Sequence, residues 1–190
     1  MSGLIQTGFW FLRHGETDWN TRHLAQGSVE THLNARGMEQ AERAAAALQN
    51  RGIAHIFSSP LTRARQTADV VGEALGLIPA FEPDLRETSY GVEEGKVMSL
   101  WFDDWVAGHF TPEGAESFEQ LTARAVLAVN RCLTASIAAP VLLISHGAFF
   151  RAIRDVMGLP RNVRTPNAIP LWCDGRNGAW EVTALKVKAE

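Results

Sequence analysis

The chain has little of what marks a secreted, membrane-bound or metal-stapled protein. It has two cysteines, Cys132 and Cys173, far apart and without metal-ligand spacing. That predicts two reduced thiols in a cytosolic protein, not a disulfide framework. No basic N-terminal stretch leads into a long apolar run, so a signal peptide is not expected. No apolar run approaches the roughly 18–20 residues that span a bilayer. A large charge of one sign is also missing. The net charge of -3 gives no long-range pull toward nucleic acid or acidic membrane. There is no internal repeat, linker or low-complexity tract. The expectation is a cytoplasmic protein whose partner is neither nucleic acid nor membrane, existing as a monomer or a homodimer.

What is present is ordinary for a globular chain: 190 residues, 46% hydrophobic and 21% charged. That length suits one sizeable core and falls short of two domains, so residues 1–190 are read as a single domain. Phe9-Trp10-Phe11-Leu12 reads as a buried strand that empties into Arg13-His14-Gly15. A helix follows over Asn34 to Arg51, with Asn34 as cap and Gly52 as stop. Ile53 to Ser59 reads as a second buried strand. A helix beginning near Pro60 carries Leu61, Ala64, Ala68, Val71 and Leu75 on one face and ends at Gly76.

A short strand at Ala80-Phe81 leads to Asp84-Leu85-Arg86-Glu87, and residues 88–115 are less regular. Ser117-Phe118-Glu119-Gln120 matches a capping box and opens another helix. Val141-Leu142-Leu143-Ile144 is the most apolar strand, followed by Ser145-His146-Gly147 and a helix over Phe149–Met157. Late strands are expected near Leu171-Trp172-Cys173 and over Trp180–Val187. This alternation predicts a three-layer α/β/α sandwich around a mainly parallel sheet.

Polar residues collect after three of these strands. They are Arg13, His14 and Thr17 with Asn20 nearby, then Ser58, Ser59 and Arg63, then Ser145, His146 and Gly147. Ligands of open α/β sheets bind beyond the carboxyl ends of parallel strands, so parallel neighbours would unite the three groups. Arginine forks grip phosphate oxygens. Phosphate monoesters are dianions near neutral pH and hydrolyse extremely slowly unaided. A site for them must neutralise the transferring group and protonate the leaving oxygen. Arg13, Arg63 and His146 suit the first task, and Glu87 suits the second. A metal site on His14, His146 and Glu87 is the rival, weakened by the fixed cation that Arg13 would place beside the metal.

Arg13-His14-Gly15-Glu16-Thr17, with Trp19-Asn20 after it, resembles the signature of the histidine phosphatase superfamily, also called phosphoglycerate mutase-like. Ser58-Ser59-Pro60-Leu61-Thr62-Arg63-Ala64-Arg65-Gln66-Thr67-Ala68 resembles its second motif, Leu85-Arg86-Glu87 its third, and Ser145-His146-Gly147 its fourth. The order and coarse spacing fit over nearly the whole chain. The resemblance implies a phosphoglycerate mutase-like fold and attack on phosphorus by His14 to give a phosphohistidine. Arg13, Arg63 and His146 would hold the phosphoryl oxygens, and Glu87 would serve as acid and then base. Asn20, Thr17, Gln26, Gly27 and Gly147 would lie beside the substrate. No metal or organic cofactor is implied. The chain departs from the family pattern at Leu24, where phosphatases often carry Arg, at Glu30 in place of Asp, and at Glu93, where Trp is common.

The resemblance covers mutases as well as phosphatases. Mutases typically carry basic residues for a substrate carboxylate in an insertion after the acid glutamate. Here residues 88–116 are short and acidic, with Glu93, Glu94, Asp103, Asp104, Glu113 and Glu116 against a single Lys96. The expectation is therefore a phosphatase acting on a small phosphate monoester. A phosphoglycerate mutase, a protein phosphohistidine phosphatase and an inactive binding module remain as alternatives. Trp101 and Trp105 stand one helical turn apart within the segment, which predicts either a lid over the substrate or a packing surface.

Overall fold

The computed structural model describes residues 3–135 and 139–187. Among them, strands β1 (Gly8–Arg13), β2 (His55–Ser58), β3 (Ala80–Phe81), β4 (Val141–Ser145), β5 (Leu171–Asp174) and β6 (Glu181–Ala184) form one sheet in the order β3-β2-β4-β1-β5-β6. The helices are α1 (Asp18–Thr21), α2 (Ala35–Leu48), α3 (Thr62–Leu75), α4 (Leu100–Ala107), α5 (Phe118–Thr134) and α6 (Gly147–Val156).

The two central strands explain the layering. Side chains alternate across a strand. In β1, Phe9 and Phe11 enter one apolar cluster, while Trp10 and Leu12 enter another. In β4, Val141 and Leu143 join the first cluster, and Leu142 and Ile144 the second. Strands apolar on both faces need cover on both, and three layers follow. Helices α5 and α6 cover one face with Leu121, Ala125, Val129, Phe149, Phe150 and Ile153. Helices α2 and α3 cover the other with Ala44, Leu48, Ala64, Ala68 and Val71. Phe11 stacks on Phe150 with ring centroids 4.1 Å apart. Burying such a side chain contributes about 1.5–3 kcal/mol.

β1, β4, β2 and β3 pair in parallel, whereas β5 and β6 add to the edge antiparallel. The sheet is thus mainly parallel, and β4 lies between β1 and β2. Arg13 stands opposite Ser145, and Ser58 opposite Ile144. Three strand ends therefore open side by side.

Element ends sort by where their caps come from. The Asn34 side chain accepts from the Gly37 amide, Ser117 and Gln120 form a reciprocal capping box, and Gly76 closes α3 at φ +67°. All three are local and follow the sequence reading. α3 and α6 instead borrow carboxylates from afar. The Thr62 amide donates to Glu30 Oε2 at 2.8 Å, so α3 begins at Thr62. Ala148 and Phe149 donate to Glu87 at 3.0 and 2.9 Å, so α6 begins at Gly147, two residues before the sequence suggests. Burial alone would raise the Glu30 carboxyl, but its bonds from Thr62 and the nearby Arg63 and Arg65 bring it below its usual range.

Residues 88–116 are more ordered than their pattern suggests, because α4 lies within them. Trp105 is fully buried, donates through Nε1 to the Glu116 carbonyl at 2.9 Å, and packs on Tyr90 and Phe118. Trp105 belongs to the core. Phe102, three residues earlier, faces a cavity instead.

Candidate active site

The parallel register gathers the three polar groups. The His14 amide donates to the Ser145 carbonyl at 3.0 Å, and the Ser59 amide to the Ile144 carbonyl at 2.9 Å. The His14 and His146 rings come to rest with centroids 5.2 Å apart.

His14 is 2% exposed, and its Nδ1 lies 2.7 Å from the Gly15 carbonyl. A carbonyl only accepts, so Nδ1 carries the proton and Nε2 keeps its lone pair. Burial, then the Arg63 and Arg13 guanidiniums, hold the imidazole well below its ordinary 6.5. At neutral pH it is an uncharged ring with a free basic nitrogen, the state a nucleophile requires.

Arg63 is buried on the first turn of α3. It donates to the carbonyls of Val29 and Gly27, both at 2.8 Å, and to Thr31 Oγ1 at 3.3 Å. Arg13 donates to the Thr165 carbonyl at 2.7 Å. Burial brings its guanidinium down to about 10, so it stays cationic at neutral pH. His146 Nε2 lies 2.7 Å from Ser59 Oγ, which itself accepts from the Leu61 amide. The Ser59 hydroxyl proton is then free to point at Nε2, which puts the ring proton on Nδ1.

Three buried nitrogens of this group lack a protein partner: Arg13 Nε, Arg63 Nε and His146 Nδ1. Unmet buried donors cost about 1–3 kcal/mol each, so clusters of them call for an explanation. Oxyanions are the partners that such donors take.

A cavity of about 300 Å³ opens beside them. Arg13, Asn20, Glu87 and Gly147 line it, whereas His14, Arg63 and His146 are buried next to it. Glu87 is held by the amides of Ala148, Phe149 and Thr88. A Cβ on Gly147 would stand at ordinary contact distance, 3.4 Å, from the Arg13 guanidinium.

Thr17, Gln26 and Gly27 do not line the cavity; they hold its walls. Thr17 caps α1 and donates to Gln26 Oε1 at 3.0 Å, which also accepts from Thr31 Oγ1 at 2.7 Å. Asn20 Oδ1 accepts from the Thr17 amide at 3.1 Å. Gly27, at φ +52°, offers Arg63 its carbonyl, and a Cβ there would collide with the Glu94 carboxylate.

Sequence reading missed several parts of the site. Residues 165–168 brace the Arg13-His14-Gly15 segment. Thr165 accepts from Arg13, the Asn167 amide group donates to the His14 carbonyl at 2.9 Å, and the Ala168 amide donates to the Arg13 carbonyl at 3.0 Å. No local signal marks that stretch. Arg151, Arg164, His23, Tyr90, Met98 and Phe102 also line the cavity. Arg151 was detectable, because it lies four residues after Gly147 on α6 and therefore shares its face. Leu24, at the position where family phosphatases often carry Arg, makes an apolar part of the wall.

Among the described residues, no group of three or more His, Cys, Asp and Glu side chains is arranged to hold a metal ion. No helix among them is long and apolar enough to cross a membrane. Both cysteines are buried free thiols, and burial pushes Cys132 up to about 12.

Residues 9–184 match the model of the histidine phosphatase superfamily, branch 1, and the chain belongs to that family of phosphatases and mutases. Among its relatives is a Proteus mirabilis protein named "Probable phosphoglycerate mutase GpmB". The two are 34% identical over 187 residues, covering 90% of this chain and 86% of the relative. The Yersinia pestis protein of the same name is 35% identical over 186 residues, with the same coverage. A mycobacterial glucosyl-3-phosphoglycerate phosphatase, solved with VO3, superposes with a TM-score of 0.83 at 27% identity, covering 96% of this chain and 100% of that one. The Entamoeba histolytica phosphoserine phosphatase, solved with 3-phosphoglyceric acid, shares the fold with a TM-score of 0.81 at 21% identity, covering 96% and 98%.

Proposed function

We propose that this protein is a phosphomonoesterase that hydrolyses a small phosphorylated metabolite through a phosphohistidine at His14. The observation that carries this reading is the set of unmet buried donors on Arg13, Arg63 and His146 around a neutral histidine with a free Nε2. These donors receive the equatorial phosphoryl oxygens, where charge builds in the transition state. The Nε2 lone pair forms the N–P bond as the P–O bond of the ester breaks. The departing oxygen keeps that electron pair and takes a proton from the Glu87 carboxyl. The Glu87 carboxylate then removes a proton from water, whose oxygen attacks phosphorus. The N–P bond breaks, its pair returns to Nε2, and inorganic phosphate leaves. Glu87 suits both steps because it lines the cavity and is fixed by three backbone amides. The fixed guanidiniums supply the positive charge that metal ions supply in other phosphoryl-transfer sites.

The test is phosphate release from p-nitrophenyl phosphate by wild type and His14→Ala. The variant should lose activity by a factor of about 10⁴ or more. Equal rates would sink the reading. A phosphoglycerate mutase is the second reading, and the names of the relatives at 34–35% identity favour it. Rapid isomerisation of 3-phosphoglycerate in the presence of 2,3-bisphosphoglycerate, outpacing phosphate release, would select it. Phosphate release alone would leave the phosphatase.

A further inference from the structure

Ala168 is buried at φ +46°, a left-handed conformation that residues with a Cβ adopt rarely. Such strain persists only where the surroundings impose it, and it gathers at functional sites. Here the surroundings are plain. Pro166 and Pro170, on either side, have φ fixed by their rings. Between them the Ala168 amide donates to the Arg13 carbonyl at 3.0 Å. Just before them the Thr165 carbonyl accepts from the Arg13 guanidinium at 2.7 Å. The strained turn is thus pinned to the end of β1, and it presents the Asn167 side chain to His14, Gly15 and Asn20.

The partners force the orientation of two amide groups. Asn167 meets the His14 carbonyl at 2.9 Å and the Gly15 carbonyl at 3.4 Å. Carbonyls only accept, so the atom facing them is Nδ2. The same Nδ2 stands 3.3 Å from Asn20 Oδ1. That atom of Asn20 must be the oxygen, because it also takes the Thr17 amide at 3.1 Å, and a backbone amide only donates. An amide oxygen has two lone pairs. Thr17 and Asn167 occupy both, which leaves the Asn20 NH2 group for the cavity that Asn20 lines. The Gly15 carbonyl, for its part, is the acceptor that holds His14 Nδ1 at 2.7 Å. One donor group therefore touches the carbonyl of the proposed nucleophile, the carbonyl that fixes its tautomer, and the oxygen that decides which way Asn20 donates. Asn167 itself does not line the cavity.

Resting on the phosphomonoesterase reading, we propose that Asn167 is a positioning residue for phosphoryl transfer. Through the Asn20 oxygen it aims the Asn20 NH2 group at a phosphoryl oxygen. Through the His14 and Gly15 carbonyls it holds the imidazole with Nε2 toward phosphorus. It touches no reacting atom, and its effect passes wholly through Asn20 and His14.

The test measures phosphate release from p-nitrophenyl phosphate by wild type, Asn167→Asp, Asn167→Ala, Asn20→Ala and the double variant Asn20→Ala/Asn167→Ala, with thermal unfolding recorded for each. Asn167→Asp keeps the size of the side chain and sets an acceptor against three acceptors, whereas Asn167→Ala removes the donor. Both should lower kcat/KM by about 10², mainly through kcat, the loss that a misplacement of about 1 Å brings. Asn20→Ala should lower it about tenfold, the scale of one charge-assisted hydrogen bond. Because Asn167 acts in part through Asn20, the double variant should lose at least about fivefold less than the product of the two single losses. Turnover by Asn167→Asp within threefold of wild type would overturn the proposal, as would single losses that simply multiply in the double variant. Failure of both Asn167 variants to fold would make the residue structural and overturn it too. In each of these cases wild type still releases phosphate, and the positioning role alone falls. If wild type releases none, the phosphomonoesterase reading falls and the proposal with it.

Discussion

Arg63 is buried beside the cavity whose mouth Arg164 lines, and the two sit under opposite conditions. Arg63 is buried, its two Nη nitrogens donate to Gly27, Val29 and Thr31, and its Nε has no partner. Arg164 is exposed and without a partner. The difference separates the floor of the site from its rim. Floor residues stand on or beside strand ends and are locked by backbone carbonyls or, for His146, by the Ser59 hydroxyl, so their geometry comes with the fold. Rim residues sit on α6, α4 and loops. On the proposed reading, the floor takes the part common to every phosphate ester, and the rim meets the part that differs.

Lysine substitutions test that contrast most directly. At Arg63, an ammonium cannot reach Gly27, Val29 and a phosphoryl oxygen together, so Arg63→Lys should lower kcat/KM by about 10²–10³ on every phosphate ester. A loss of only a few-fold would erase the distinction between floor and rim. Protons give the next largest effect. His14 and His146 are both held well below 6.5 by burial first and then by neighbouring cations. The unfolded chain therefore takes up more protons below pH 6.5, and stability should fall with pH there by about 1.4 kcal/mol per unit for each histidine. Urea unfolding at pH 7.5, 6.5 and 5.5 measures it, and His14→Asn should remove about half the slope. A flat profile would mean that these rings are not buried as neutral groups.

Gly27→Ala should cost about 1–2 kcal/mol, because φ +52° disfavours a Cβ and Glu94 occupies its space. Activity should fall alongside, since the Gly27 carbonyl orients Arg63. Thermal unfolding and p-nitrophenyl phosphate assays read both. Stability lost with full activity retained would show that Arg63 does not depend on that carbonyl. The smallest change belongs to the rim: Arg164→Lys should alter p-nitrophenyl phosphate turnover by no more than about threefold, because the charge is kept at an exposed position. A hundredfold loss there would move Arg164 into the floor.

The same contrast governs what the sequence revealed. Phe9 to Leu12 and Val141 to Ile144 announce strands buried on both faces, and the polar residues after them announce a site. Asn34, Ser117 and Gly76 mark their helix ends because those caps are local. The starts of α3 and α6 were not readable, since Glu30 and Glu87 cap them from 32 and 61 residues away. The brace at 165–168 and the arginine at 164 escaped notice for the same reason. Nothing in their own neighbourhood states that they fold back onto β1. Thr17, Gln26 and Gly27 were expected beside the substrate; in the fold they do not line the cavity and hydrogen-bond within its walls, a placement that no local pattern shows. Trp105 and Phe102 share a short helix, and only burial separates a core residue from a wall residue.

The central claim is that His14 carries the phosphoryl group during turnover. Rapid quenching of the enzyme with ³²P-labelled p-nitrophenyl phosphate, followed by peptide mapping, tests it directly. The account predicts an acid-labile, alkali-stable label on the peptide containing His14, lost on a chase with unlabelled substrate. Turnover that proceeds with no such label, or with the label on another residue, would contradict it.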